Sequence, residues 1–256
     1  MAFIAVNGID IYHEIIGSGE PLVLVHGWGA DSTMYEEQRE LSKHFTLLLY
    51  DQRGHGRSSK SPDDSLYTIG QFAEDLRALL DALGWQKVFL AGHSMGGSVA
   101  LRFALDHPEY VIKLVLASTF AKRRLAFGER LQLSLARLVP MKLLAVPFAK
   151  SCMAEPDPAL VRRIVAFYEG AGKNTLLRAA RSIGEVDFTG ELANVRAETL
   201  VLIGDRDDKV PFENCEALHR GIPRSTLTIL RECGHSANWE KPGEFNAALG
   251  EFFLRK

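Results

Sequence analysis

Five compact apolar runs are spread along the 256-residue chain: 21–26 (PLVLVH), 45–50 (FTLLLY), 87–92 (KVFLAG), 112–117 (IKLVLA) and 199–204 (TLVLIG). They are mostly continuous rather than alternating in polarity, the pattern of strands covered on both faces within a parallel sheet. Between them lie stretches with helical spacing. Residues 69–83 carry Ile69, Phe72, Ala73, Leu76, Leu79, Leu80 and Leu83 at intervals of three and four and stop at Gly84, which reads as an amphipathic helix with a glycine terminator. Residues 94–105 and 242–253 read similarly. Strand and helix in alternation predict right-handed crossovers and an α/β sheet covered by helices on both faces. Ahead of them, 2–7 and 9–16 are β-branched segments meeting at Asn7-Gly8, a dipeptide suited to a tight antiparallel hairpin.

The alternation fails over 119–187. There, amphipathic segments such as 130–139 and 159–168 are separated by Pro140, Pro147, Pro156 and Pro158, and no strand run occurs. The expected organisation is a core made of 1–118 and 188–256 with a helical cap insert at 119–187. The insert carries 12 Lys and Arg against 6 Asp and Glu, whereas the remainder carries 18 against 26. The whole chain is close to neutral at −2, so no global field would hold a nucleic acid. Three widely spaced cysteines, Cys152, Cys215 and Cys233, form no CxxC pair, and neither a disulfide framework nor a thiolate metal site is expected. No apolar stretch approaches the roughly 20 residues of a membrane span, and the N-terminus lacks a basic region ahead of an apolar one. A soluble cytoplasmic protein is expected.

The chemistry concentrates in Gly92-His93-Ser94-Met95-Gly96-Gly97, a G-x-S-x-G directly after one strand run and directly before a helical one. A serine in such a turn is held in a strained conformation with its Oγ standing clear, next to the free N–H groups of a helix start. Serine needs a base within hydrogen-bond reach, oriented by a third group. Of eight histidines, His235 fits best: it follows the apolar run 226–230, precedes the last helix, and Gly234 lets its loop bend. The acid is expected at the end of TLVLIG, in Gly204-Asp205-Arg206-Asp207-Asp208-Lys209-Val210-Pro211. Asp207 is the choice there, with Asp205 and Asp208 facing solvent or pairing locally with Arg206 and Lys209. It would fix the imidazole tautomer and stabilise the imidazolium. The order Ser94, Asp207, His235 is that of an α/β-hydrolase, not of chymotrypsin or subtilisin. Oxyanion donors are expected from the N–H of Met95 and, in His26-Gly27-Trp28-Gly29, the N–H of Trp28. Losing one such donor costs about 3–4 kcal/mol of transition-state stabilisation.

HGWG, DQRGHGRS (51–58), GHSMGG, GDRDDKVP and CGHSANWEKP, in this order across nearly the whole length, resemble the α/β-hydrolase superfamily. The layout is similar to pimeloyl-carrier-protein methyl ester esterases, 3-oxoadipate enol-lactonases, cofactor-free haloperoxidases and small carboxylesterases. The resemblance implies Ser94 as nucleophile, Asp207 as acid, His235 as base, and Trp28 and Met95 as oxyanion donors, with DQRGHGRS a structural loop. A serine in the turn sets the chain apart from relatives that use aspartate there, such as haloalkane dehalogenases and epoxide hydrolases.

The expected activity is hydrolysis of short-to-medium carboxylic esters through an acyl-enzyme, requiring neither metal nor cofactor. Trp28, Leu133, Leu143, Leu144, Phe148, Phe167 and Tyr168 are the candidates for the acyl pocket beneath the cap. The expected partner is a small-molecule ester, with no nucleic acid and no membrane. The basic insert admits docking of an anionic acyl carrier as a sharper idea. Perhydrolase or haloperoxidase-like activity, enol-lactonase activity, carbon–carbon hydrolysis and a non-enzymatic ligand receptor are the alternatives.

Overall fold

The computed structural model describes residues 2–255. Its centre is one eight-stranded sheet in the order β1-β2-β4-β3-β5-β6-β7-β8. The strands are β1 (Ala2–Val6), β2 (Ile9–Ile16), β3 (Glu20–Val25), β4 (Phe45–Tyr50), β5 (Val88–His93), β6 (Val111–Ala117), β7 (Glu198–Gly204) and β8 (Ser225–Leu230). The opening pair behaves as the sequence predicts: Val6 pairs with Ile9, and Asn7 and Gly8 turn the chain with φ of 46° and 75°. Both values lie in the left-handed region that such a two-residue hairpin requires. β1–β2 and β2–β4 are antiparallel and every other neighbouring pair is parallel. The continuous apolar runs are thereby explained. In β3, Val23 and Val25 pack on one face and Leu22 and Leu24 on the other, all fully buried.

The helices are α1 (Ile69–Leu83), α2 (Met95–Asp106), α3 (Phe127–Leu135), α4 (Met141–Lys150), α5 (Pro158–Ala171), α6 (Lys173–Ile183), α7 (Phe212–Gly221), α8 (Ala237–Glu240) and α9 (Pro242–Leu254). Helix α1 begins where the Thr68 hydroxyl accepts the Gln71 N–H at 3.0 Å, a side-chain cap that satisfies one of the first turn's unpaired donors. Its buried face meets α2 on one side of the sheet, while α9 covers the other through Phe245, Leu249, Phe252 and Phe253.

The stretch between β6 and β7 carries α3 to α6. Its two ends are laced together: Arg123 N–H donates to Val186 O at 2.9 Å, Leu125 N–H to Gly184 O at 3.0 Å, and Phe188 N–H to Ala121 O at 2.9 Å. One expectation changes here. Pro147 separates nothing; it lies inside α4. A proline there leaves the Leu143 carbonyl without its helical donor, which is tolerable because Leu143 sits on the solvent side, 66% exposed.

The motif Asp51–Ser58 is a tightly bonded loop. Asp51 accepts N–H donors from Ser32 at 2.7 Å and Arg57 at 2.8 Å. Arg53 grips Asp75 of α1 through Nε and Nη2, both at 2.7 Å, with both side chains buried. Among the described residues no helix is long and apolar enough to cross a membrane.

Candidate active site

Ser94 occupies the turn between β5 and α2, with φ 54° and ψ −119°. A non-glycine residue in this region is strained, and surrounding packing has to hold it there. Strand and helix meet so closely that a Cβ on Gly96 would overlap the carbonyl oxygen of Val25. Glycine at that position is thus a requirement of the approach, as the motif predicts. Ser94 N–H is anchored to Ala117 O on the neighbouring β6 at 2.9 Å.

Asp207 follows β7 and His235 follows β8, so both reach the same carboxyl edge of the parallel sheet as Ser94. That edge is where open α/β sheets place their sites. His235 Nδ1–H donates to the Asp207 carboxylate, 2.9 Å from Oδ2 and 3.1 Å from Oδ1. The same carboxylate accepts the N–H groups of Lys209 at 2.8 Å and Val210 at 3.0 Å. Burial alone would raise the Asp207 pKa, but the ring beside it and these donors outweigh burial and bring it to about 2. The group is an anion at neutral pH, and it fixes the ring with Nε2 bare. Among the described residues Ser94 Oγ and His235 make no hydrogen bond in this arrangement, although both face the same cavity. Such bonds commonly tighten only when substrate is bound.

The loop carrying His235 is held from three sides. His93 Nε2–H donates to His235 O at 2.7 Å, Ser236 N–H donates to Cys152 O at 2.9 Å, and the Glu240 carboxylate accepts Gly234 N–H at 3.1 Å. Glu240 also accepts Ala154 N–H at 2.7 Å, tying the loop to the segment after α4. Neither His93 nor Glu240 is singled out by the sequence. His93 reads there as the variable residue of the turn, and only the meeting of β5 with the β8 loop reveals its contact.

Burial lowers the pKa of His93 and of His55 to about 3 from the usual 6.5. Such rings stay neutral in the fold while the unfolded chain takes up protons below pH 6.5, so stability falls as pH falls through that interval. Between pH 7 and pH 5.5 the two rings together are expected to remove about 2–3 kcal/mol from the unfolding free energy. Urea titrations at the two pH values measure this, and an unchanged free energy would contradict neutral buried rings.

Trp28 lies in the loop after β3. Its indole Nε1–H donates to Leu176 O at 2.9 Å, and its ring packs edge-on to Phe148 with centroids 5.4 Å apart. Among the described residues neither the N–H of Trp28 nor that of Met95 donates to a backbone carbonyl.

The cavity above Ser94 and His235 has a volume of about 440 Å³, within the range of small-molecule sites. Of the expected pocket residues, Trp28, Leu133, Leu144, Phe148 and Tyr168 line it. Phe167 instead faces a separate void of about 60 Å³ that also touches Ser94 and His235, and it stacks on Trp239 at 5.8 Å. Leu143 is a correction: it points to solvent, because adjacent positions on a helix diverge by about 100° and its neighbour Leu144 takes the inward direction. Wall residues the sequence reading missed include Phe120, Met141, Leu176 and Ile183. The spacing of Leu176 and Ile183 on an amphipathic stretch was the available signal.

Asp205 is exposed to solvent, as expected, and its carboxylate also accepts Cys233 N–H at 3.2 Å and lies 3.8 Å from Arg231. Burial pushes the thiols of Cys152, Cys215 and Cys233 up to about 12, which leaves them protonated and unreactive. Among the described residues no cluster of three or more His, Cys, Asp or Glu is placed to hold a metal ion.

A family profile described as the alpha/beta hydrolase fold matches residues 20–144. The AB hydrolase superfamily protein YisY of Bacillus subtilis (strain 168) is 30% identical over 257 residues, covering 95% of each chain. Among solved structures, a thermophilic esterase from Thermogutta terrifontis is 30% identical with a TM-score of 0.88, covering 98% of this chain and 96% of that one. The enol-lactonase from Burkholderia xenovorans LB400 is 26% identical with a TM-score of 0.91, covering 99% and 100%. Relatives that match from end to end, together with a strained serine at the edge of a mostly parallel eight-stranded sheet, establish that this chain belongs to the α/β-hydrolase family.

Proposed function

We propose that the protein is a serine hydrolase cleaving carboxylic esters of short-to-medium acyl chains. Ser94 Oγ attacks the acyl carbon while His235 Nε2 takes its proton. The Asp207 carboxylate keeps that nitrogen bare and stabilises the imidazolium that forms. The N–H groups of Trp28 and Met95 receive the negative oxygen of the tetrahedral intermediate. His235 then returns the proton to the departing alcohol, and water, activated by the same ring, releases the acid from Ser94.

One observation carries this reading: a strained serine and an imidazole bonded to a buried carboxylate open into one largely apolar cavity. The helices between β6 and β7 act as a cap on that cavity, and its size suits a medium acyl chain better than a triglyceride. The proposed partner is a small ester and not a carrier protein. Lys122, Arg123, Arg163 and Arg178 of the insert are already ion-paired with Asp187, Glu129, Glu37 and Asp64, which blunts its basic excess. The likeness to the Thermogutta esterase supports the choice of substrate class.

A fluorophosphonate probe tests the nucleophile. Native protein is expected to be labelled, and the Ser94→Ala variant is not. Equal labelling of the two would remove Ser94 from the mechanism. A p-nitrophenyl ester series from acetate to palmitate then locates the chain-length optimum.

A further inference from the structure

Besides Ser94, His235 and Gln132, the largely apolar wall of the cavity carries four charged side chains: Arg123, Glu129, Lys173 and Lys209. Arg123 and Glu129 neutralise each other at 3.0 Å. The Lys173 ammonium donates to the carbonyls of Arg137 at 3.0 Å and Val139 at 2.7 Å. These are dipoles and cancel no charge. Lys209 is different again. Half-buried, it has no carboxylate within ion-pair distance among the described residues, and its ammonium rests 5.2 Å from the centroid of the Phe148 ring. The cavity therefore has one acid against three cations.

The position of Lys209 is fixed from below. Its backbone N–H is spent on Asp207, the carboxylate that holds His235, while Phe148, on which its ammonium lies, packs against Trp28 in the loop after β3. The cation thus borders the space that a substrate of Ser94 would fill. An ammonium against an aromatic face gains some attraction. Removal from water without a counter-ion is still unfavourable, and an anion entering the same space relieves it.

The geometry points to a substrate that brings this anion with it: an ester or lactone bearing a free carboxylate, such as a half-ester of a dicarboxylic acid, with Lys209 as the residue that selects it. Lys173, which lines the same cavity, adds a second positive charge to the field. The inference rests on the proposal that this cavity is the substrate site of Ser94, but its test does not depend on turnover.

The full-length Ser94→Ala variant is titrated by calorimetry with monomethyl adipate and with dimethyl adipate, which match in length and differ in charge. The half-ester is expected to bind about tenfold more tightly than the diester at low salt. Adding Lys209→Met should bring the ratio of the two affinities to about one, and Lys209→Arg should keep most of the preference. A ratio near one with Lys209 present, a preference that Lys209→Met leaves intact, or no binding of either ester overturns the inference. If native protein is labelled at Ser94 but shows no charge preference, the hydrolase reading stands and this one falls. If labelling fails while the Lys209-dependent preference holds, the reverse is true.

Discussion

Replacement of Asp207 by asparagine is expected to lower kcat on an activated ester by about 10⁴-fold while leaving the fold intact. The amide oxygen can still accept the N–H groups of Lys209 and Val210, which hold the loop at 2.8 and 3.0 Å. The amide nitrogen, however, is a donor, and against His235 Nδ1 it favours the tautomer whose Nε2 carries the hydrogen. That ring cannot take a proton from Ser94. The variant also removes an acid-linked term. A carboxyl held at about 2 in the fold and near 3.8 when unfolded stabilises the protein above about pH 4, and that stabilisation is lost as pH falls towards 2. Two measurements check the account: kcat for p-nitrophenyl acetate, and the unfolding free energy at pH 7 against pH 3. Retention of activity within tenfold of native would mean that the carboxylate does not orient the base.

The second large effect lies outside the cavity. Arg53→Met is expected to cost about 3–5 kcal/mol, because it leaves the buried Asp75 carboxylate without its cation. For a chain of this size that corresponds to a fall in Tm of roughly 10 °C. Asn7 and Gln71 each donate to Asp75 at 3.0 Å, and they soften the loss without replacing a charge. The double variant Arg53→Met with Asp75→Leu should recover most of it, since removing both partners avoids an orphaned ion. Thermal denaturation of the three proteins decides the matter. A single variant within 1 kcal/mol of native would show that the pair is dispensable. The loop Asp51–Ser58 is structural in this sense: through Arg53 and Asp75 it fastens the end of β4 to α1.

How far the sequence could be read depended on whether the signal was local. Strand boundaries deduced from the apolar runs agree with the sheet to within a residue or so at each end, because a strand buried on both faces leaves a continuous apolar signature. Helix α1 was legible to the residue as 69–83 with Gly84 at its end, although its Thr68 cap emerged only from the structure. Helix α7 went unread, since only Cys215 and Leu218 of its residues are buried and the apolar stripe is narrow. In the insert, Leu143 and Leu144 are indistinguishable as letters; only the rotation of α4 sends one inward.

For the site, Ser94, Asp207 and His235 could be named because each sits at a strand end with a distinctive flank. Their mutual geometry could not. His93, Glu240 and Lys209 belong to the same assembly through long-range contacts that no spacing encodes, to His235, Ala154 and Phe148 respectively. For Lys209 the charged run offers only a local aspartate as a possible partner, whereas the turn around Asp207 carries its side chain over Phe148.

The short segment Cys152–Ala154, gripping the loop of His235 through Ser236 N–H and Glu240, makes the wall and the chemistry mutually dependent. Exchanging these inserted helices for those of a relative would do more than reshape what enters. Unless residues 152 to 154 travelled with a matching partner for Glu240, the transplanted roof would also slacken the imidazole. New preferences are therefore more easily reached by single changes along the inner faces of α3, α4 and α6 than by wholesale replacement.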